Sequence, residues 1–345
     1  MTILDDLARI HQQDTQDVLG IVSKQTEQLA YDFALPPMDF TPQNIVYAAM
    51  GGSALVADLA LSWPGCNVPL EIVRDYNLPM YVGSRTLVIV ASYSGTSEET
   101  LSAMDQAEKK GAHIAVISAG GTMAERARQK GYPLAVMPPL AQSRYATLYN
   151  FKALLDILAA CGVVDAVAVG QGLATATDHV NEAIAHWLPE MPTKQNTAKQ
   201  LALELMGKSV VIYAGAMLAP AARKWKISIN ENAKQVAWWN HLPEMNHNEF
   251  TGWTAQPHDK PYAVVELRSA LEHERTQKRF VVTERLLSGM RPAPEVVEVS
   301  GTTLPEQLLW AFASGDFVSV YLALLNGQDP APVSHVTKLK QHMEQ

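Results

Sequence analysis

Apolar positions along this chain gather into short, nearly continuous runs separated by amphipathic stretches, as in a parallel sheet covered on both faces. In the first half the runs are Ile45–Met50, Leu70–Val73, Thr86–Ala91, His113–Ser118 and Leu134–Met137. Helical spacing marks Ala54–Leu61, Glu98–Lys110 and Met123–Lys130, and Gly51-Gly52-Ser53 separates the first strand from the first of these helices. Strand, glycine turn and helix form the opening unit of a doubly wound layer, here of about five strands. Residues 5–32 alternate charged and apolar positions at helical spacing and predict a helical arm. From Arg144 to Leu205 the chain reads as helix after helix, with breaks expected at Gly162, Gly170-Gln-Gly172 and Pro189–Pro192. A second strand–turn–helix unit begins at Ser209–Gly215 and runs into Ala219–Asn230. Strands at Tyr262–Leu267 and Glu295–Val299 then flank a helix-like stretch from Glu272 to Ser288, and Pro305–Leu325 and Pro332–Met343 read as closing helices. The chain repeats its plan, although identity between the halves is too weak to prove duplication. The expected organisation is a helical arm over 1–40, a first domain over 41–160, a helical connector over 161–205 and a second domain over 206–345. The fold class is α/β, with two doubly wound parallel-sheet domains in tandem.

Composition narrows the function classes. The chain has 345 residues, 48% apolar and 18% charged, enough for two buried cores. Its 27 basic and 35 acidic residues give a net charge of −8, opposite to the field of a nucleic-acid-binding surface. An anionic ligand must therefore be held by local geometry. The two cysteines, Cys66 and Cys161, have no repeat spacing and no histidine at zinc-finger distance, which points to a reducing compartment without a structural metal. The acidic start lacks a basic segment before an apolar run, and no window is expected to reach the roughly 18 apolar residues of a membrane span. A cytoplasmic protein without nucleic-acid or membrane partners is the expectation.

Two stretches carry candidate chemistry. In Ser92-Tyr-Ser-Gly-Thr-Ser97 the hydroxyls of Ser92, Ser94, Thr96 and Ser97 leave an apolar strand and enter a helix, where free N–H groups and the helix dipole favour an anion. The plainer reading is a capping box, with Thr96 as N-cap and Glu99 three residues on, but that uses one hydroxyl only. Gly51, Gly52 and Ser53 lie at the carboxyl end of the neighbouring strand, where ligands of open α/β sheets bind. The second stretch is Ile229-Asn-Glu-Asn-Ala-Lys234 followed by Leu242-Pro-Glu-Met-Asn-His-Asn-Glu249. Glu231 and His247 there could each be an ordinary solvated or core residue. With Trp225, Trp238, Trp239 and Trp253 nearby, apolar walls suited to a general base are expected around them. His241, Glu244 and His247 have a metal-like look, but Pro243 interrupts the helix that would put them on one face.

These residues match a family. Met50-Gly-Gly-Ser53, Arg74-Asp-Tyr-Asn-Leu-Pro79, Ser92–Thr100, Arg223-Lys-Trp-Lys226 with Ile229–Lys234, and Pro243–Glu249 with Gly252-Trp253 resemble the bifunctional phosphoglucose/phosphomannose isomerases. The likeness runs from about residue 40 to the end. It implies two sugar isomerase (SIS) domains, no cofactor or metal, a homodimer, and interconversion of aldose and ketose hexose 6-phosphates. By resemblance, Glu231 is the base and His247, supplied by the partner subunit, opens the sugar ring. Ser53, Ser92, Ser94 and Ser97 hold the phosphate, Gly51 and Gly52 line the site, and Arg144 polarises the enediolate.

Two departures from the family pattern bear on this. Thr96-Ser97 replaces the family's usual Asn-Thr while keeping a hydroxyl at the second position. Of Lys338 and Lys340, the run Val333, Val336, Leu339, Lys340 selects Lys340 as the lysine of the last helix. Asp329–Val333 lacks the threonine associated with the mannose epimer, so activity on mannose 6-phosphate is the less expected of the two. The rival readings are a non-catalytic sugar-phosphate sensor and an isomerase of another phosphosugar. A sensor has no need of Glu231 and His247 together, and no helix-turn-helix or basic segment is evident for passing a signal to DNA. An aminosugar isomerase of the glucosamine 6-phosphate synthase type needs an N-terminal cysteine, and residue 2 is threonine.

Overall fold

The computed structural model describes residues 2–140, 142–255, 261–333, 338–339 and 342–343. The chain divides into two compact units, one of residues 24–177 and one of residues 1–23 with 178–345. Residues of the expected 1–40 arm are therefore shared between them. Helices α1 (Leu7–Gln13) and α2 (Val18–Ser23) belong to the second unit. Buried Asp14 satisfies the first turn of α2 by accepting from the Val18 and Leu19 amides at 2.8 and 2.9 Å. Lys199, fully buried, donates to the carbonyls of Leu4, Pro189 and Met191 at 2.5, 2.7 and 2.8 Å and so pins the N-terminal segment.

In the unit of residues 24–177, β1 (Asn44–Ala49) leads into α3 (Gly51–Ser62). There follow β2 (Leu70–Val73), β3 (Thr86–Ala91), α4 (Glu98–Lys109), β4 (His113–Ser118), α5 (Gly121–Lys130), β5 (Leu134–Val136) and α6 (Thr147–Ala160). The parallel strands lie in the order β2-β1-β3-β4-β5. Every residue of β3 is buried, which is why the run reads as uniformly apolar. Ala103, Ala107 and Ala127 present little bulk on α4 and α5, so these helices close on Val88, Val90 and Val116. The next helix, α7 (Ala166–Ala185), runs straight through Gly170 and Gly172, where a break was expected. Gly172 is there for packing: a Cβ would lie 2.6 Å from the Trp63 ring.

The second unit contains α8 (Thr197–Leu205), β6 (Ser209–Gly215), α9 (Ala219–Asn232), β7 (Ala237–Leu242), α10 (Glu249–Gly252), β8 (Tyr262–Arg268), α11 (Glu274–Leu286), β9 (Pro294–Glu298) and α12 (Leu304–Leu325). Its parallel order, β7-β6-β8-β9, reproduces β2-β1-β3-β4 of the first. Strand β7 was not read from the sequence. It lies at the sheet edge with its four middle residues partly or fully exposed, so Trp238-Trp239-Asn240-His241 shows no buried apolar run. Helix α12 is long and apolar enough to cross a membrane by length and composition, contrary to the expectation that no such window exists. Instead 89% of its apolar window is buried within the fold, which makes it a core helix.

Candidate active site

The turn from β3 into α4 brings its hydroxyls together. Ser92 Oγ lies 2.9 Å from Ser97 Oγ and 3.4 Å from Ser94 Oγ, and Ser94 Oγ lies 3.0 Å from Thr96 Oγ1. The capping-box reading fails, because α4 begins at Glu98 with Ser97 as N-cap, and the Ser97 hydroxyl makes no cap hydrogen bond. The hydroxyls therefore face one another at an open helix N-terminus. Gly95 makes the turn possible: its φ is +69°, and a Cβ would lie 1.9 Å from the Gly120 carbonyl oxygen. Gly121 closes the contact from the other side, and the Met123 amide donates to Gly95 O at 3.0 Å. Glu98 and Glu99 also occupy the first turn and complement the dipole. The Glu98 carboxylate accepts from Tyr76 Oη at 3.3 Å.

At the parallel position after β1, Gly51 has φ +51°, and a Cβ on either Gly51 or Gly52 would meet nothing within 4 Å. Ser53 is half-buried. Its carbonyl accepts from Tyr47 Oη at 3.1 Å, and Asn150 Oδ1 accepts from the same phenol at 3.1 Å, which ties α3 to α6. Arg144 is half-buried in a short turn before α6, its guanidinium 4.7 Å from the centre of the Tyr145 ring. The phosphate-cradle candidates and Arg144 thus share the unit of residues 24–177. Glu231 and His247 belong to the other. Lys340 lies outside the described residues, and Lys338 is exposed.

Glu231 sits at the end of α9, whose rotation is set by a polar seam along α12. Lys224 Nζ meets Asp316 Oδ1 at 2.5 Å, Ser228 Oγ donates to the same oxygen at 2.8 Å, and Asn232 Nδ2 donates to Ser319 Oγ at 2.9 Å. These α9 residues recur at i, i+4 and i+8, so they form one stripe. Beside them the Trp225 indole donates to Ala311 O at 2.7 Å and packs where a Cβ on Gly315 would lie 2.4 Å from the ring. Removing one partner of so buried an ion pair costs about 3–5 kcal/mol. Asn230 Oδ1 accepts from the Ala237 amide at 3.1 Å and fixes the start of β7. Lys234, at φ +53°, donates to the carbonyls of Asn232, Asp329 and Pro330 and closes the helix end. The two asparagines are thus built into the packing, with the half-buried Glu231 between them as the only carboxylate of the segment.

After β7, Pro243 precedes a short turn over Glu244–His247. Buried Met245 anchors it and leaves His247 exposed. Asn246 locks the turn to α11, donating to Thr283 Oγ1 at 2.9 Å and accepting from Arg279 Nη1 at 3.3 Å. Next to it lies a network that was not anticipated from the sequence. Glu249 accepts from Tyr213 Oη and, at 2.7 Å, from Asn240 Nδ2, while the Trp253 indole donates to Tyr213 Oη at 2.8 Å. Burial, and then the hydrogen bond to Glu249, push the Tyr213 phenol up from its ordinary value. The one available signal was a tyrosine tip inside the apolar run Ser209–Gly215. The expected wall of four tryptophans is corrected here. Trp225 and Trp253 are core residues with hydrogen-bonded indoles, and Trp238 is half exposed. Among the described residues no three His, Cys, Asp or Glu side chains group as metal ligands. A cavity of about 550 Å³ in this unit, walled by Trp187, Trp225 and Trp310, includes neither Glu231 nor His247 in its lining.

Residues 194–343 match the bacterial phospho-glucose isomerase C-terminal SIS domain. Bifunctional phosphoglucose/phosphomannose isomerases are similar over most of the chain. That of Caldicellulosiruptor bescii is 34% identical over 87% of this chain and 89% of its own. That of Aquifex aeolicus is 30% identical over 89% and 92%. The D-glucosamine-6-phosphate 4-epimerase of Sulfolobus acidocaldarius is 32% identical over 63% and 66%. In fold the chain is similar to a glucose-6-phosphate isomerase like protein from Thermus thermophilus, with a TM-score of 0.65 at 17% identity and 99% of both chains covered. With two parallel sheets of matching strand order, and 34% identity extending over both units, the chain belongs to the bifunctional phosphoglucose/phosphomannose isomerase family.

Proposed function

We propose that the chain is an aldose–ketose isomerase converting glucose 6-phosphate, and mannose 6-phosphate, to fructose 6-phosphate and back. In this reading the hydroxyls of Ser92, Ser94, Thr96 and Ser97 and the turn at Gly51-Gly52-Ser53 hold the phosphate. His247 protonates the ring oxygen while the C1 hydroxyl gives up its proton, opening the ring. Glu231 takes the proton from C2 to form an enediolate and returns it to C1 as the carbonyl moves to C2, with Arg144 and Lys340 stabilising the oxyanion. No redox partner is needed, since oxidation at C2 balances reduction at C1. The observation that carries the proposal is the seam around Glu231: both flanking asparagines are engaged in packing, leaving one carboxylate in the segment to move a proton. The expected assay result, with chelator present throughout, is fructose 6-phosphate from both aldoses and a slower rate from mannose 6-phosphate. No product from either sugar would sink the proposal.

A homodimer in which each subunit receives His247 from the other follows the same reading. It predicts that inactive Glu231→Gln and inactive His247→Ala proteins regain activity when dissociated and reassociated together, at up to one site per heterodimer. The 4-epimerase relative supports a second reading, epimerisation of an aminosugar phosphate. Conversion of glucosamine 6-phosphate to its C4 epimer, without ketose formation, would favour it.

A further inference from the structure

Beside the His247 turn, Asn246 and Phe250 face α11 across a cavity of about 390 Å³. One stripe of α11 lines it, Arg275, Lys278, Arg279, Val282 and Leu286, recurring at i, i+3, i+4, i+7 and i+11. The stripe is basic at its N-terminal end and apolar at its C-terminal end. Two features make the basic end costly in isolation. Like charges at i,i+3 and i,i+4 repel, and cations near a helix N-terminus oppose the macrodipole. Arg279 is steadied by Asn246 Oδ1, but Arg275 and Lys278 make no ion pair among the described residues, and neither does the neighbouring Glu274. Leu286, 53% exposed, and Phe250 supply apolar surface at the other end. In a chain of net charge −8 such a concentration of cations in a concavity is a local arrangement, not a property of the whole surface.

We propose that this cavity is a binding site for a small organic phosphate carrying an apolar or planar body. Its anionic group lies against the side chains of Arg275 and Lys278, since His273 already caps the N-terminus of α11 by accepting from the Arg275 amide, and its body lies along Val282, Leu286 and Phe250. It shares no residue with the hydroxyl turn at residues 92–97, and it does not depend on the isomerase reading.

Phenyl phosphate titrated into the full chain by calorimetry is the direct probe. A Ser94→Ala/Ser97→Ala background removes competition from the upstream turn. One site per chain is expected, with phenyl phosphate held more tightly than inorganic phosphate. Arg275→Ala/Lys278→Ala is expected to weaken it roughly tenfold or more, the scale of lost charge-assisted hydrogen bonds. Leu286→Ser should weaken phenyl phosphate and leave inorganic phosphate unchanged. Arg275, Lys278 and Leu286 are exposed, so each variant should keep its melting temperature. Three outcomes would overturn the site: no binding at millimolar probe, undiminished binding in the folded charge-deleted variant, or equal affinity for phenyl and inorganic phosphate, which would mean a bare patch of charge.

Discussion

The two sheets share a strand order and differ at their carboxyl ends. After β1 and β3 the turns are open, with Gly51 and Gly52 facing no neighbouring atom and the hydroxyls at 92–97 gathered beside a helix N-terminus. After the corresponding β6 and β8 the turns are closed by the protein itself. Glu272, reaching over from the turn after β8, accepts from the Met217 amide at 2.9 Å, and a Cβ on Gly215 would lie 2.1 Å from its Oε1. One unit leaves room for an external anion where the other places its own carboxylate. Equivalent topology therefore does not imply equivalent chemistry. In the second unit the candidate residues lie elsewhere, at the end of α9 and in the turn after β7.

The proposed division between a unit that binds and a unit that reacts can be tested by kinetics. Glu231→Gln is expected to lower turnover by roughly 100-fold or more while leaving sugar-phosphate affinity in place, as for a removed general base. Steady-state kinetics with a binding titration checks it, and near-normal kcat in a folded variant would move the base elsewhere. Ser94→Ala/Ser97→Ala should act in the opposite sense, raising KM roughly tenfold or more, because hydroxyl donors to phosphate serve ground and transition states alike. If phosphate protects this variant against heat as well as it protects the wild type, the cradle lies elsewhere.

Open and closed ends should also respond differently to one methyl group. Gly215→Ala forces Glu272 off the Met217 amide and is expected to destabilise by about 1–3 kcal/mol in chemical denaturation. The loss should shrink in a Glu272→Ala background, since the two sites touch. Gly52→Ala should leave stability almost unchanged and weaken sugar-phosphate binding. Equal destabilisation by both would remove the distinction.

The smallest effect concerns pH. Burial raises the Glu272 carboxyl above its ordinary 4.5, with the amides of Met217 and Leu218 offsetting only part of the rise. The folded state then holds this proton more tightly than the unfolded chain does. Its contribution to stability is greatest below 4.5 and falls as pH rises through the raised folded value. Glu272→Gln should flatten that part of the stability profile while its side-chain oxygen still accepts from Met217. An unaltered pH slope would assign the dependence to another group.

Much of this protein was legible in one dimension. Strands buried on both faces advertise themselves as uniform apolar runs, and β2, β3, β4 and β6 begin and end where those runs do. Hydroxyls clustered at a strand-to-helix turn, and a glutamate between two asparagines, are likewise local patterns. Other features depend on contacts between residues remote in the chain. Edge strand β7 has no buried run to reveal it, and Gly172 looks like a helix break until Trp63 is seen against it. The tryptophans read as one wall because they are close in sequence, but packing sends Trp225 into α12 and Trp253 onto Tyr213. That one carboxyl end is open and the other closed by Glu272 was decided only in three dimensions, because a carboxylate reaching an amide 55 positions away leaves no periodic trace in the sequence.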